Sequence, residues 1–300
     1  MHPTTAPSAP RAPRFADYAS RPVSATQEVQ VHTTSSATAS PDAFSRTPLF
    51  GASEKTRRFL APDEELVVID DQDGYQVLLA GGLKSSIPGP YGKSGAVVSS
   101  RFDQTDYTVF LGLLRYVEGR LGVSVVFEPY RFACTLGLTD SEENVKVLFA
   151  SIARMAETRL AVRSPIPGTP VHFEYAVGRL VSSVGYNTQT GKYSIMLDPR
   201  MANLFRPAHF CALDWEQRLA LKSSLARWLH AELSSHESGR FRWTHKLQQA
   251  YGAKSTPAVF KMRLKQAAVE VAAVTGWTLT FEKPGKGANE KLVCTKKRAH

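Results

Sequence analysis

The chain has 300 residues, of which 43% are hydrophobic and 21% are charged, and its formal net charge is +10. This length is sufficient for about two domains. Cys134, Cys211 and Cys294 lie far apart in the sequence, which argues against a disulfide framework and against a cysteine-rich zinc site. No apolar run approaches the roughly 18–20 residues of a membrane helix, so we expect a cytoplasmic protein that makes no membrane contact.

The net charge lies entirely in the last third of the chain. Residues 201–300 contain 17 Lys and Arg but only 7 Asp and Glu, whereas the two signs balance in residues 1–200. Cations concentrated in this way are typical of a surface that neutralises phosphates. Nucleic acid is therefore the predicted partner.

The N-terminal part of the chain has weak structural signals. Residues 1–45 are rich in Ala, Pro, Ser and Thr and contain few large apolar side chains, which predicts a disordered tail. Short strands are predicted at residues 66–69 and 76–80, because turn residues separate two apolar runs. Residues 81–100 contain several Gly and Pro residues and are predicted to form a flexible insertion.

The next segment alternates helical and strand patterns. Apolar side chains with helical spacing predict a helix over residues 105–121 and a second long helix behind the capping box at residues 139–142. A short strand at 124–127 and a brief helix at 130–136 lie between them. Strands follow at 160–163, 171–186 and 193–197, with a hairpin turn at 187–191.

A similar pattern begins again after residue 213. Helices are predicted at residues 221–233 and 243–251, the second ending at Gly252. A third helix opens at Ser255-Thr-Pro257 and ends at Gly276. Its predicted buried stripe is Phe260, Leu264, Ala267, Val271 and Val274. Strands at 277–282 and 291–295 complete the pattern.

Three helices and a hairpin therefore occur twice, at about residues 105–198 and 213–297. This order predicts an α+β protein with two tandem winged-helix domains. The predicted boundaries are a disordered tail at 1–45, a first domain at 46–205 that includes the insertion at 81–100, and a basic second domain at 206–300.

The second domain carries most of the candidate DNA-binding residues. In a helix-turn-helix protein the last helix enters the major groove, and in the winged form a hairpin lies along the neighbouring backbone. Arg and Gln can read base edges there, and Lys can contact bases or phosphates. The candidates are Lys254, Ser255, Thr256, Lys261, Arg263, Lys265, Gln266, Lys283, Lys286, Lys296, Lys297 and Arg298. In the first domain, Lys146 and Arg154 on the outer face of the second long helix and Lys192 at the hairpin are candidates for phosphate contacts.

Enzyme motifs are incomplete. His172-Phe-Glu174 and His230-Ala-Glu232 match the first half of a zinc deaminase signature, but the sequence contains no PCxxC to supply the other ligands. We therefore predict no catalytic residue, no metal site and no cofactor. A metal-dependent nucleic-acid enzyme is kept as a distant alternative.

Residues spread over positions 46–298 resemble plasmid replication initiators of the TrfA type. The similar features are Ser45-Arg-Thr-Pro-Leu-Phe50, Asp106-Tyr107 ahead of Leu113-Leu114, Phe173, Ser194-Ile-Met-Leu-Asp198, Leu204-Phe205, Ser255-Thr256 and Val259-x-Lys261-x-Arg263. The resemblance implies a non-enzymatic initiator with two winged-helix domains that binds directly repeated origin sites, called iterons, in double-stranded DNA. It also implies opening of AT-rich DNA and helicase loading.

The resemblance further implies partners and a division of roles. Base readout would fall on Ser255, Thr256, Lys261, Arg263 and Lys265, and the first domain would make backbone contacts and the homodimer interface. Host partners would be the host initiator, the helicase and the sliding clamp, and the role would include control of plasmid copy number. A winged-helix transcriptional repressor, which could regulate its own gene, remains an alternative that the sequence leaves open.

Overall fold

A computed structural model describes residues 28–52, 65–69, 75–81, 86–88, 94–96, 101–165, 173–205, 209–285 and 289–296. These residues form a mixed α and β structure, in agreement with the predicted α+β class. Within these ranges, no helix has the length and apolar character needed to cross a membrane.

The first described elements fall in the segment predicted to be a disordered tail. They are β1 (Val29–Gln30), β2 (Ala37–Pro41) and α1 (Asp42–Arg46), followed by a 3-10 turn at Pro48–Phe50. β2 pairs antiparallel with β13 (Phe210–Asp214), and Phe44 and Phe50 are fully buried. The prediction of disorder is therefore wrong for residues 28–45, whose small side chains fit a buried strand with a distant partner. Residues 1–27 lie outside the described residues.

The next part of the chain contains most of the strands. Its elements are β3 (Glu65–Ile69), β4 (Gln76–Ala80), β5 (Ser86–Pro88), β6 (Ser94–Ala96), α2 (Gln104–Tyr116), β7 (Arg120–Leu121), β8 (Ser124–Phe127), α3 (Pro129–Thr135), α4 (Glu142–Glu157), β9 (Arg159–Pro165), β10 (Phe173–Gly178), β11 (Val181–Tyr186), β12 (Tyr193–Leu197) and a 3-10 helix at Pro199–Phe205. The strand predicted at 171–186 is two strands, because the Asp198 carboxylate accepts a hydrogen bond from the Arg179 backbone at 3.0 Å where the chain turns. Within the predicted insertion, β5 and β6 pair, and residues 82–85, 89–93 and 97–100 lie outside the described residues.

The C-terminal part is mainly helical and ends in a sheet. Its elements after β13 are α5 (Trp215–Ala220), α6 (Ser224–Ser234), β14 (Phe241–Trp243), α7 (Thr244–Tyr251), α8 (Pro257–Thr275), β15 (Thr278–Glu282) and β16 (Lys291–Thr295). The helix predicted at 221–233 begins only at Ser224, because the Ser223 side chain caps it by accepting from the Ala226 backbone at 3.1 Å. The predicted ends at Gly252 and Gly276 are confirmed, since both glycines adopt left-handed backbone angles.

One order of elements occurs twice. The first module contains α2, β8, α3, α4, β11 and β12, and the second module contains α6, β14, α7, α8, β15 and β16. In each module the last strand lies at the centre of a three-stranded antiparallel sheet, in the orders β11-β12-β8 and β15-β16-β14. The repeat of three helices and a hairpin is therefore observed. Each module also has a strand after its first helix, which is predicted in the first module at residues 124–127 but not in the second.

Two apolar clusters form the interior. The larger one belongs to the first module but also contains Leu213, Trp215 and Ala231, whereas the cluster of the second module begins at Leu221. Residues 209–215, which fall in the predicted second domain, thus pack largely with the first core. Gly51 and Ala52 also reach the second module, where the Ala52 amide donates to the Tyr251 carbonyl at 2.7 Å. The segment predicted as a tail and its continuation therefore help to join the modules.

A buried guanidinium lies at the junction of the modules. Arg218 of α5 is completely buried, and its guanidinium carbon lies 4.6 Å from the centre of the Tyr107 ring in α2. The same group donates to the Gln104 side chain at 3.1 Å and to the Thr108 hydroxyl at 3.0 Å. Burial lowers the Arg218 pKa to about 10. Because these acceptors are neutral and buried, the junction geometry must be maintained to keep the cation solvated by protein groups.

His230 provides a pH-dependent test of the packing near this junction. Its ring stacks on Trp277 with centroids 5.5 Å apart, and burial, reinforced by Arg218 and Lys296, lowers its pKa to about 3. In the unfolded chain the His230 ring binds a proton below its ordinary pKa of about 6.5, whereas in the folded chain the ring stays neutral until about pH 3. Stability should fall by about 1.4 kcal/mol for each pH unit below about pH 6 from this group alone.

The measurement is urea denaturation between pH 6.5 and 4 for the wild type and for His230→Phe, which keeps an aromatic ring against Trp277. Carboxyl groups contribute to both pH slopes, so the difference between the two proteins isolates His230. The variant should lose less stability on acidification. Equal slopes would contradict neutral burial of the histidine.

Candidate nucleic-acid interface

The long helix α8 forms the centre of the candidate interface. Pro257 occupies its first turn behind Thr256, although the Thr256 side chain makes no capping hydrogen bond. The predicted stripe is confirmed, since Phe260, Leu264 and Val271 are buried. Burial of this stripe against α6 and the sheet leaves the opposite face of α8 at the surface.

The predicted residues just before α8 lie at the surface. Lys254 and Thr256 are exposed, while Ser255 is partly buried and its carbonyl accepts a hydrogen bond from the Gln248 side chain at 2.6 Å. This bond ties the turn between α7 and α8 to α7. The N-terminal turn of α8 is therefore fixed in position beside Lys254.

Lys261 and Lys265 occupy one flank of α8 and share a carboxylate. Their ammonium groups lie 3.0 Å and 3.5 Å from Oε1 of Glu290, which precedes β16 and is 9% exposed. The Lys265 ammonium also lies 5.3 Å from the centre of the Phe281 ring. Glu290 holds both amines beside the base of the hairpin and offsets part of their charge. Sequence reasoning missed Glu290, because no local pattern links it to Lys265, which lies 25 residues earlier.

Arg263 lies on the other flank, Gln266 lies between the two flanks, and both side chains are exposed. They line an open cleft with a volume of about 810 Å³, together with Tyr251, Lys254 and Glu270. Glu270 caps the start of α6, since its carboxylate accepts from the Ser223 hydroxyl at 2.7 Å. The predicted readers Lys261 and Arg263 thus lie on opposite edges of the exposed face of α8.

The hairpin differs in part from the prediction. Lys283 is exposed beyond the end of β15, as expected for the tip of a wing. Lys296 turns inward, where its ammonium donates to the Ser234 and His236 carbonyls at the end of α6 and lies 5.2 Å from the centre of the Trp277 ring. Burial lowers its pKa. The placement of Lys296 on a trailing basic surface is therefore wrong. Lys286, Lys297 and Arg298 lie outside the described residues.

One of the three candidates in the first module is also misplaced. Lys146 is exposed and forms an ion pair with Glu142 at 3.0 Å, and Lys192 is exposed at the hairpin turn. Arg154 instead forms a buried ion pair with Asp106, which links α4 to α2. Burial raises the Asp106 pKa, although the guanidinium opposes this shift. Arg154 therefore does not lie on the outer face of α4, because it shares the inner face with Ser151.

Other polar residues of the second module hold it together. Glu232 is buried and lies 2.9 Å from the Arg242 guanidinium and 3.1 Å from His236. Glu232 thus joins α6 to β14 and has a structural environment, unlike a zinc-site residue. Within the described residues no group of three or more His, Cys, Asp or Glu side chains is arranged to hold a metal ion.

Comparisons with known proteins give a fold likeness. Domains 2 and 3 of RctB match with a TM-score of 0.53 and 12% sequence identity, covering 86% of this chain and 98% of that chain. A second structure of RctB domains 2–3 has a TM-score of 0.48 and 11% sequence identity, and the match covers 85% of this chain and 97% of that chain. The Pi initiator protein in complex with iteron DNA has a TM-score of 0.45 and 11% sequence identity, and the match covers 65% of this chain and 94% of that chain. No protein-family model matches the chain, and no curated protein matches its sequence. The first of these likenesses shows that the chain shares the fold of RctB domains 2 and 3.

The inward position of Lys296 gives a testable difference from Lys283. We expect Lys296→Met to lower the free energy of unfolding by about 1–2 kcal/mol, because two carbonyls at the end of α6 lose their donor. Lys283→Met, at an exposed position, should change stability by less than about 0.5 kcal/mol. Denaturant titration of both variants checks this. An equal, small effect of both would show that Lys296 does not hold the end of α6.

Proposed function

We propose that the chain is a sequence-specific, double-stranded DNA-binding protein that initiates plasmid replication. The observation that carries this proposal is the surface of the second module. There, α8 presents an exposed face between Lys261 and Lys265 on one edge and Arg263 on the other, with Lys254 at its start and Lys283 on the adjacent hairpin. A helix bordered by cations beside a basic hairpin suits a major groove and its flanking phosphates.

The order of elements supports two tandem winged-helix domains. Helix, strand, two helices and a two-stranded hairpin, with the last strand central in the sheet, fit a winged helix in both modules. In this assignment α8 and α4 are the recognition helices, and β15–β16 and β11–β12 are the wings. The likeness to a protein fragment of two domains, RctB domains 2 and 3, agrees with this division.

The specific role rests on the resemblance to initiators of the TrfA type. The second module would read each origin repeat, and the first module, through Lys146 and Lys192, would contact the backbone. Opening of AT-rich DNA, recruitment of the host initiator, helicase and sliding clamp, and homodimerisation through the first module complete the proposal. Tyr193, near the hairpin turn of the first module, is buried against Phe149 and Tyr186. A dimer surface at this hairpin would therefore not use Tyr193 directly.

DNA specificity is tested by selecting ligands of the full chain from a pool of random duplexes. We expect one enriched sequence, and Lys261→Ala with Arg263→Ala should weaken binding to it by about 30-fold or more, because each of the two lost base contacts costs about 1–3 kcal/mol. Binding to unrelated duplexes should weaken much less. Arg120→Ala with Arg131→Ala, which removes the same formal charge from the first module, should retain the preference. Unchanged specificity in the α8 variant would contradict the assignment of the reading helix.

The initiator role has its own test. A plasmid that carries only the origin is introduced into a host with and without this gene supplied separately. Replication only in its presence is the expected result. Specific DNA binding without replication would favour the repressor alternative, and DNA cleavage in the presence of Mg²⁺ would favour the enzyme alternative.

A further inference from the structure

The exposed face of α8 is apolar along its middle. Seven large hydrophobic side chains are exposed among the described residues, and three of them belong to this one helix. Val259 is 36% exposed, Met262 is 54% exposed and Val269 is 72% exposed. Single exposed apolar residues are ordinary on protein surfaces, but three on one helix call for a common explanation.

These side chains form a line. Val259, Met262, Gln266 and Val269 follow the spacing i, i+3, i+7 and i+10, so they share one face of the helix. We call these four residues the α8 ridge. The ridge is opposite the buried stripe that contains Phe260 and Leu264, and it extends over about 15 Å at 1.5 Å for each residue. Gln266 is the polar member of the ridge.

Charge borders the ridge on both sides. Lys261 and Lys265 lie on one edge, where Glu290 holds them toward the hairpin, and Arg263 lies on the other edge. The cations are therefore placed beside the ridge and not on its crest. This arrangement is complementary to a DNA groove, in which negative phosphates border a central strip of base edges.

The chemistry of the ridge selects among base pairs. The thymine C5 methyl is the apolar group that the major groove presents, and the Gln amide is suited to the N6 and N7 atoms of adenine. Guanine and cytosine edges would instead require charged or hydrogen-bonding side chains along the ridge. Val259 and Val269 have no hydrogen-bonding group, and the Met262 thioether is only a weak acceptor.

We propose that the α8 ridge reads A·T base pairs in the major groove, with Val259, Met262 and Val269 against thymine methyl groups and Gln266 on an adenine edge. This inference rests on the proposed DNA binding. Lys261, Lys265 and Arg263 then contact bases and phosphates at the borders, and the ridge adds a preference for A·T pairs between them.

The test uses the duplex selected by the full chain. Each thymine of that duplex is replaced in turn by deoxyuridine, which removes the C5 methyl and leaves base pairing intact. We expect two or more positions at which the dissociation constant rises about fourfold, the effect of one buried methyl group. Thymines outside the site should show no change.

Variants then connect the methyl groups to the ridge. Met262→Ala and Val269→Ala should each abolish the deoxyuridine effect at one thymine, because the protein partner of that methyl is gone. Gln266→Ala should relax the preference for one adenine. Val126→Ala removes an exposed valine from β8, outside α8, and should retain every deoxyuridine effect.

The outcomes separate this inference from the proposed function. Selection that enriches no sequence would overturn specific DNA binding and the ridge with it. An enriched sequence whose binding does not respond to deoxyuridine would overturn the ridge alone. Unchanged DNA binding by Met262→Ala with Val269→Ala, together with a changed oligomeric state in sedimentation, would show that the ridge is a protein interface and would also overturn it.

Discussion

The buried cation at the junction constrains the whole arrangement. Arg218 reaches from α5 into α2, where Tyr107, Gln104 and Thr108 surround its guanidinium. A buried guanidinium that loses such neighbours is costly, because it cannot regain water without opening the core. The antiparallel pairing of β2 with β13 reinforces the same junction. Because Arg218 also donates to the Arg227 carbonyl of α6 at 3.4 Å, this one side chain links the two modules.

The cations of the chain fall into two groups, one that holds the fold together and one that lies at the surface. Arg218 and Arg242 are buried, Arg154 is mostly buried, and all three hold helices and strands together. The surface cations of α8 lie at the two edges of the α8 ridge. The middle of the exposed face of α8 therefore carries less positive charge than the formal charge of residues 201–300 suggests. In the proposed complex, the cations at the borders supply long-range attraction and contact bases, and the α8 ridge adds a preference for A·T pairs.

Local patterns predicted most helices and hairpins but failed where distant residues decide. The stripe of α8, its end at Gly276 and the turn before Lys192 follow from spacing and turn chemistry over a few residues. The strand at 37–41 was missed because its partner lies about 170 residues away, and its small polar side chains resemble those of a flexible tail. Arg154 and Lys296 were misplaced for a related reason, since the groups that bind them come from other elements. Of the candidate interface, the sequence supplied the helix and its cations, whereas Glu290 and the exposed apolar crest required the fold.

The proposed complex places both modules of one chain on one duplex, with α8 reading bases and the first module contacting the backbone. Hydroxyl-radical footprinting of the full chain on its selected duplex tests this most directly. We expect two protected stretches on the same face of the DNA, separated by about one helical turn of 10–10.5 bp. A single protected stretch, or two stretches whose separation varies from one bound duplex to another, would contradict it.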